Sequence, residues 1–237
     1  LTATAGSNQS GSIGSATVYV YNATNSGHPL NDKQIFIHYD DPSLVVTSLH
    51  AQITRTSNGG SGSMDGFTDP AVWGSMFSNY VNNTMTLGEP ASANNVISVA
   101  AYGSRGVWPI LGGGYGYYSP APLIGEIAGF SGRGPTRDGR RKPDISAPGY
   151  GVAASCSTSS SPAGWISVWD GYHVVKAGTS MAAPVVAGYV ALKLQVMPNA
   201  TVSEIMSDIS AGARVDGAVA AAGAAPNNTW GYGKILG

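Results

Sequence analysis

Charge and cysteine are what this chain has least of. Only 11% of its 237 residues are charged, and twelve Lys plus Arg against thirteen Asp plus Glu leave a formal net charge of −1. No basic field is available to draw in nucleic acid or an anionic membrane surface, which speaks against both as partners. The single cysteine, Cys156, excludes an intramolecular disulfide and any cysteine-rich zinc site, while leaving the compartment open. Long apolar runs are also missing. The best stretch, Met181 to Met197, contains Pro184 and Lys193 and falls short of the roughly 20 residues that span a bilayer.

What is present is a 43% hydrophobic content, enough to exclude disorder, with a length that suits one large domain or a domain plus a smaller module. Thirty-three Gly and fourteen Pro, with abundant Ser, Thr and Asn, favour many turns and close backbone approaches. Few charges with much Ser, Thr and Asn are common in exported proteins, so a secreted or cell-surface location is expected. The chain opens at Leu1 without an initiator methionine or a basic-then-apolar leader, as a processed product or a cut piece would.

Two textures follow one another. Residues 1–87 read as an antiparallel β-sandwich, or a fragment of one, with strands at Ala16–Tyr21, Gln34–Tyr39 and Leu44–Leu49. Asn25-Ser-Gly27 and Asn58-Gly-Gly60 supply the positive φ values that hairpin turns need. Residues 88–237 read as α/β: an apolar strand at Asn95–Ala101, a long Gly/Pro-rich stretch, then a helix from about Ser180 to Val196. A second helix is announced by Thr201 and Glu204, which have capping-box spacing, and by an apolar stripe of Ile205, Ile209 and Ala213.

Chemistry concentrates in Gly178-Thr-Ser-Met-Ala-Ala-Pro-Val-Val-Ala-Gly188, where Ser180 sits at the mouth of the first helix among small residues. Unpaired N–H groups and the partial positive charge of a helix N-terminus would stabilise the oxyanion formed when that hydroxyl attacks a carbonyl. Gly178 permits close backbone approach, and Pro184 is near enough to the first turn to be tolerated. Taken alone, a Ser or Thr before an apolar run is most often a plain helix cap.

The segment nevertheless resembles the nucleophile motif of the subtilisin-like serine proteases, the subtilases. Phe130-Ser-Gly-Arg-Gly-Pro-Thr136 and Lys142-Pro-Asp-Ile-Ser-Ala-Pro-Gly149 resemble the family's segment before the serine. Gly88–Ala101 is similar to its preceding strand, and Trp230-Gly-Tyr-Gly-Lys234 to the end of its catalytic domain. Four motifs in the expected order cover about residues 88–237. The resemblance implies a subtilisin-like parallel sheet with flanking helices and peptide-bond hydrolysis, with Ser180 as nucleophile and Gly178 and Thr179 against substrate. Val185 stands where the family commonly has a histidine, a change that touches helix packing more than chemistry.

The family's triad runs Asp, His, Ser. Neither its Asp-Thr/Ser-Gly nor its His-Gly-Thr segment occurs here, and His28, His38, His50 and His173 lack such flanks. The resemblance therefore implies that the Asp and His lie on an N-terminal fragment of the same precursor, with autoprocessing as one route to the division. The family's oxyanion asparagine has only a poor counterpart in Ala5-Gly-Ser-Asn8, where Asn8 reads as a turn residue and the donor role is the alternative. Residues 1–87 resemble the later part of a β-sandwich insertion carried by some subtilases between the histidine and serine segments.

Other features read more plainly. The basic run Arg133, Arg137, Arg140, Arg141 and Lys142 is a solvated loop paired with Asp138 and Asp144. Trp73, Trp108, Trp165, Trp169 and Trp230 are dispersed and read as packing residues rather than a carbohydrate groove. Structural calcium is common in the family, but Asp40, Asp41, Asp65 and Asp69 have no recognisable ligand spacing. No metal and no cofactor is assigned. The expected partners are a polypeptide substrate and the precursor's N-terminal fragment. A catalytically inactive subtilase-like binding or regulatory protein is the alternative, as is a binding role for the β module.

Overall fold

A computed structural model describes residues 9–13, 16–24 and 33–40 as strands and residues 82–235 in detail. The chain divides into two units, Leu1–Asp65 and Gly66–Gly237. In the first, β1 (Gln9–Ile13), β2 (Ala16–Thr24) and β3 (Lys33–Asp40) form an antiparallel sheet in the order β1-β2-β3. In the register Val18 lies opposite Tyr39 and Val20 opposite Ile37. The strand read at Leu44–Leu49, both turn motifs and any second layer of a sandwich lie outside the described residues.

The second unit is built on β4 (Val99–Gly103), β7 (Ile145–Ser155) and β8 (His173–Ala177), in the order β4-β7-β8. β4 and β7 run parallel; β8 turns back antiparallel to β7. Three helices follow, α1 (Thr179–Val196), α2 (Val202–Ala211) and the short α3 (Gly217–Ala221), making the α/β arrangement expected from the sequence. The first strand starts later than its apolar run suggests. Asn95 has a φ of 59°, outside the β region, and Ser98 is held by the Asp144 carboxylate, which accepts its N–H at 2.7 Å.

The core joins Ala101 of β4, Ile145 and Ala147 of β7, Ala182 and Val186 of α1, and Ile205 and Ile209 of α2. Alanines on both sides of the sheet–helix contact let α1 lie close on β7. The C-terminal segment closes this layer: Ile235 donates its N–H to the Ser146 carbonyl at 2.8 Å. Lys234, only 2% exposed, donates to Asp216 at 2.7 Å and to the Gly125 carbonyl, beneath the rings of Tyr102 and Trp230. Between β4 and β7 a small antiparallel hairpin projects, β5 (Val107–Pro109) with β6 (Tyr115–Tyr117).

Candidate active site

β8 delivers the chain to the site. Its last residue, Ala177, is in register with Tyr150, and the next, Gly178, donates its N–H to the Gly149 carbonyl at 2.8 Å. Gly149 is itself required by close packing, since a Cβ there would meet the Ala182 side chain and the Gly178 carbonyl at 3.0 Å. Gly178 then turns the chain into α1 with a φ of 146°, a value that side chains disfavour.

Gly178 is the N-cap of α1, and no side chain caps the helix. Thr179 and Ser180 are therefore its first two helical residues, and the capping role that their residue types also permitted is not the one they have. Thr179 is half-buried and Ser180 exposed. Met181 donates to the Gly178 carbonyl at 3.0 Å, while the N–H groups of Thr179 and Ser180 have no backbone partner among the described residues. No acidic side chain occupies the first turn to quench the positive end of the helix. Pro184, with no N–H to give, also leaves the Ser180 carbonyl without its usual helical bond. An exposed hydroxyl thus stands beside two free backbone donors, the elements needed to attack a carbonyl and hold the resulting negative charge.

No described histidine reaches this hydroxyl. His173 begins β8, whose five residues separate it from Ala177 by about 13 Å at an ordinary strand rise. Its ring instead meets the Asp170 carboxylate at 2.7 Å. That carboxyl is held below its usual range by the Tyr172 N–H and then by His173. His28, His50, the side chain of His38 and Asn8 lie outside the described residues, as do Trp73, Asp41, Asp65 and Asp69. Among the described residues no cluster of His, Cys, Asp or Glu could hold a metal ion.

The loop's pairs are those read from the sequence, Arg140 with Asp138 at 2.8 Å and Lys142 with Asp144 at 2.6 Å, but Lys142 is buried and also donates to the Val96 carbonyl at 2.7 Å, so this end of the loop is not solvated as expected. Asp138 is drawn down to about 2, first by its bond to Arg140 and then by Thr136. The tryptophans divide. Trp108 and Trp230 are buried, but Trp165 and Trp169 are 48% and 65% exposed, so the packing role predicted for all does not extend to these two. The missed signal is local density: Trp108, Tyr115, Tyr117 and Tyr118 lie within one short stretch, and Trp165, Trp169 and Tyr172 within another.

The whole second unit takes part in a wider likeness. The family model described as the subtilase family matches residues 2–233. An uncharacterized protein of Aquifex aeolicus is 42% identical over 113 residues, 47% of each chain. Pyrolysin of Pyrococcus furiosus is 39% identical over 45% of this chain and 7% of its own length, and the serine protease AprX of Bacillus subtilis 41% identical over 33% and 18%. The chain thus spans less than half the length of these relatives. The structure of the CspB protease of Clostridium perfringens shares the fold at 22% identity, with a TM-score of 0.53, over 97% of this chain and 43% of that one. A glycine-capped helix that opens on an exposed serine, within a chain matched almost from end to end, places this protein in the subtilase family.

Proposed function

We propose that the chain carries the nucleophile of a serine endopeptidase. Ser180 Oγ attacks the scissile carbonyl carbon while its proton passes to a histidine, oriented by an aspartate, on the N-terminal fragment of the same precursor. The new oxyanion is met by the Ser180 N–H at the start of α1. The histidine returns the proton to the departing amine, and water then hydrolyses the acyl-enzyme by the reverse route. Gly178 and Thr179 lie against the substrate backbone.

The observation that carries this reading is the exposed Ser180 at a helix start where backbone donors are free and Gly178 alone forms the cap. The shared nature of the site is supported by α1, whose outer residues Leu192 and Val196 are 67% and 80% exposed, an apolar surface that a further polypeptide would cover. Secretion or display at the cell surface, and autoprocessing of the precursor, belong to the same proposal. Among the described residues no helix is long and apolar enough to cross a membrane.

A second reading, a catalytically inactive binding or regulatory protein, is favoured by the absence of a described histidine within reach of Ser180. A fluorophosphonate probe decides between them. In the enzyme assembled with its N-terminal fragment it should label Ser180, and Ser180→Ala should abolish labelling and lower turnover by several orders of magnitude with the fold intact. Labelling at another residue, or none, would overturn the peptidase reading.

A further inference from the structure

A file of aromatic rings leads away from the nucleophile. Tyr150, in register with Ala177 and next to the Gly149 that anchors Gly178, meets Tyr118 edge-on with ring centres 4.8 Å apart. Tyr118 in turn meets Trp165 edge-on at 5.6 Å, and both contact the buried Trp108, at 5.2 and 6.5 Å. The hydroxyl of Tyr118 donates to the Val175 carbonyl at 3.3 Å, and the Trp165 carbonyl accepts the Trp108 indole N–H at 3.1 Å. Backbone bridging of Ser167 to Val174 fixes the same loop against β8.

The Trp165 carbonyl is therefore held and its loop bridged to β8, yet its side chain is left half open. The residue is 48% exposed, and its own indole N–H has no partner among the described residues. A ring placed only to fill the core would be covered; this one is propped by Tyr118 and left half exposed to solvent. Ser167, two residues on, bridges to Val174, which lies about 10 Å of strand before Ala177 and puts this loop roughly three to five residues of extended peptide from the start of α1, at about 3.3 Å per residue.

We propose that Trp165, supported by Tyr118, is a specificity-determining surface for the polypeptide substrate: it receives an aromatic or large aliphatic side chain three to five positions from the scissile bond. The open face gives the apolar contact, and the free indole N–H donates to a substrate carbonyl. This rests on the peptidase reading and deepens it, because it makes the substrate a long extended segment rather than a short peptide. Trp169, 65% exposed, borders the same loop and would extend the surface outward.

The test uses the assembled enzyme and two peptide series lengthened stepwise from one cleavable bond, one in each direction, each ending in Phe or in Gly. In one series kcat/KM should rise about tenfold when Phe reaches the third to fifth position, with no such rise for Gly. Trp165→Ala should remove that rise while leaving both the shortest peptides and the fluorophosphonate labelling of Ser180 unchanged. Trp165→Phe should restore part of it. Equal rates for Phe and Gly at every position, or a rise that survives Trp165→Ala, would overturn the inference while labelled Ser180 left the peptidase reading standing. Failure of labelling in the unaltered enzyme would instead remove that reading and this one with it.

Discussion

α1 and α2 meet in one core but begin under opposite rules. α2 starts with a complete capping box: the Thr201 hydroxyl accepts the Glu204 N–H, and Glu204 returns to the Thr201 N–H at 2.7 Å. Those bonds draw the Glu204 carboxyl below its usual range, with the backbone contact from Thr201 as the main cause. Its apolar residues Ile205 and Ile209 face inward. α1 has no side-chain cap, opens on a glycine at φ 146° and buries only Ala182 and Val186 of its eighteen residues. The difference teaches where stability and function have been separated. In α2 the capping box satisfies the N–H groups of Thr201 and Glu204, whereas α1 has no side-chain bond at its start and leaves an apolar flank open.

The contrast is sharpest at Gly178. Replacement by valine forces a β-branched residue into a conformation it disfavours and should lower kcat/KM of the assembled enzyme by roughly 10²- to 10³-fold, since small displacements of the reacting group are this costly. Circular dichroism should remain native. A near-normal rate would show that the glycine-capped start has no catalytic consequence.

Next in size is the buried lysine after α2. Asp216→Asn leaves the Lys234 ammonium without its countercharge and should cost about 2–3 kcal/mol in urea denaturation, less than a fully buried pair because Asp216 is partly open to solvent. The Asp216 carboxyl is held below its ordinary range chiefly by Lys234. Its contribution is therefore complete above the unfolded carboxyl value near 4 and is lost as pH falls through the lowered folded value. In that acidic window the variant should show a flatter loss of stability. An equal slope in both proteins would remove Asp216 from the account.

A smaller effect separates the outer faces. Leu192→Asp should weaken assembly with the N-terminal fragment by about tenfold, on the scale of one buried leucine, whereas Ser207→Asp on the exposed side of α2 should not. Equal binding in both variants would leave the α1 flank without its proposed cover. Smallest is the cap itself: Thr201→Ala should cost about 1 kcal/mol, while Thr179→Ala should change stability by no more than about 0.5 kcal/mol. A larger loss at Thr179 would mean that α1 is side-chain capped after all.

The sequence made both helices legible for different reasons. Thr201, Glu204, Ile205 and Ile209 are a local code, each residue acting within one turn, so the second helix could be placed from the residues themselves. Ser180 was identified only through its resemblance to a family motif, because its residue type alone more often marks a cap. The Arg140–Asp138 and Lys142–Asp144 pairs were readable because they join residues two apart. Trp165 was not, since its meaning depends on Tyr118, Trp108 and β8, which lie distant in sequence and converge only in the fold. The start of β4 was misplaced for a similar reason: an apolar run does not reveal a positive φ at Asn95.

The most direct test of a divided site is peptide hydrolysis by residues 1–237 alone, set against the same chain joined by the N-terminal fragment of its precursor. The chain alone should be inactive, the pair should hydrolyse peptide, and Ser180→Ala should silence the pair. Robust Ser180-dependent hydrolysis by the chain alone, with none of the fragment detectable by mass spectrometry, would contradict the account and send the search for a base back to His28, His38, His50 and His173.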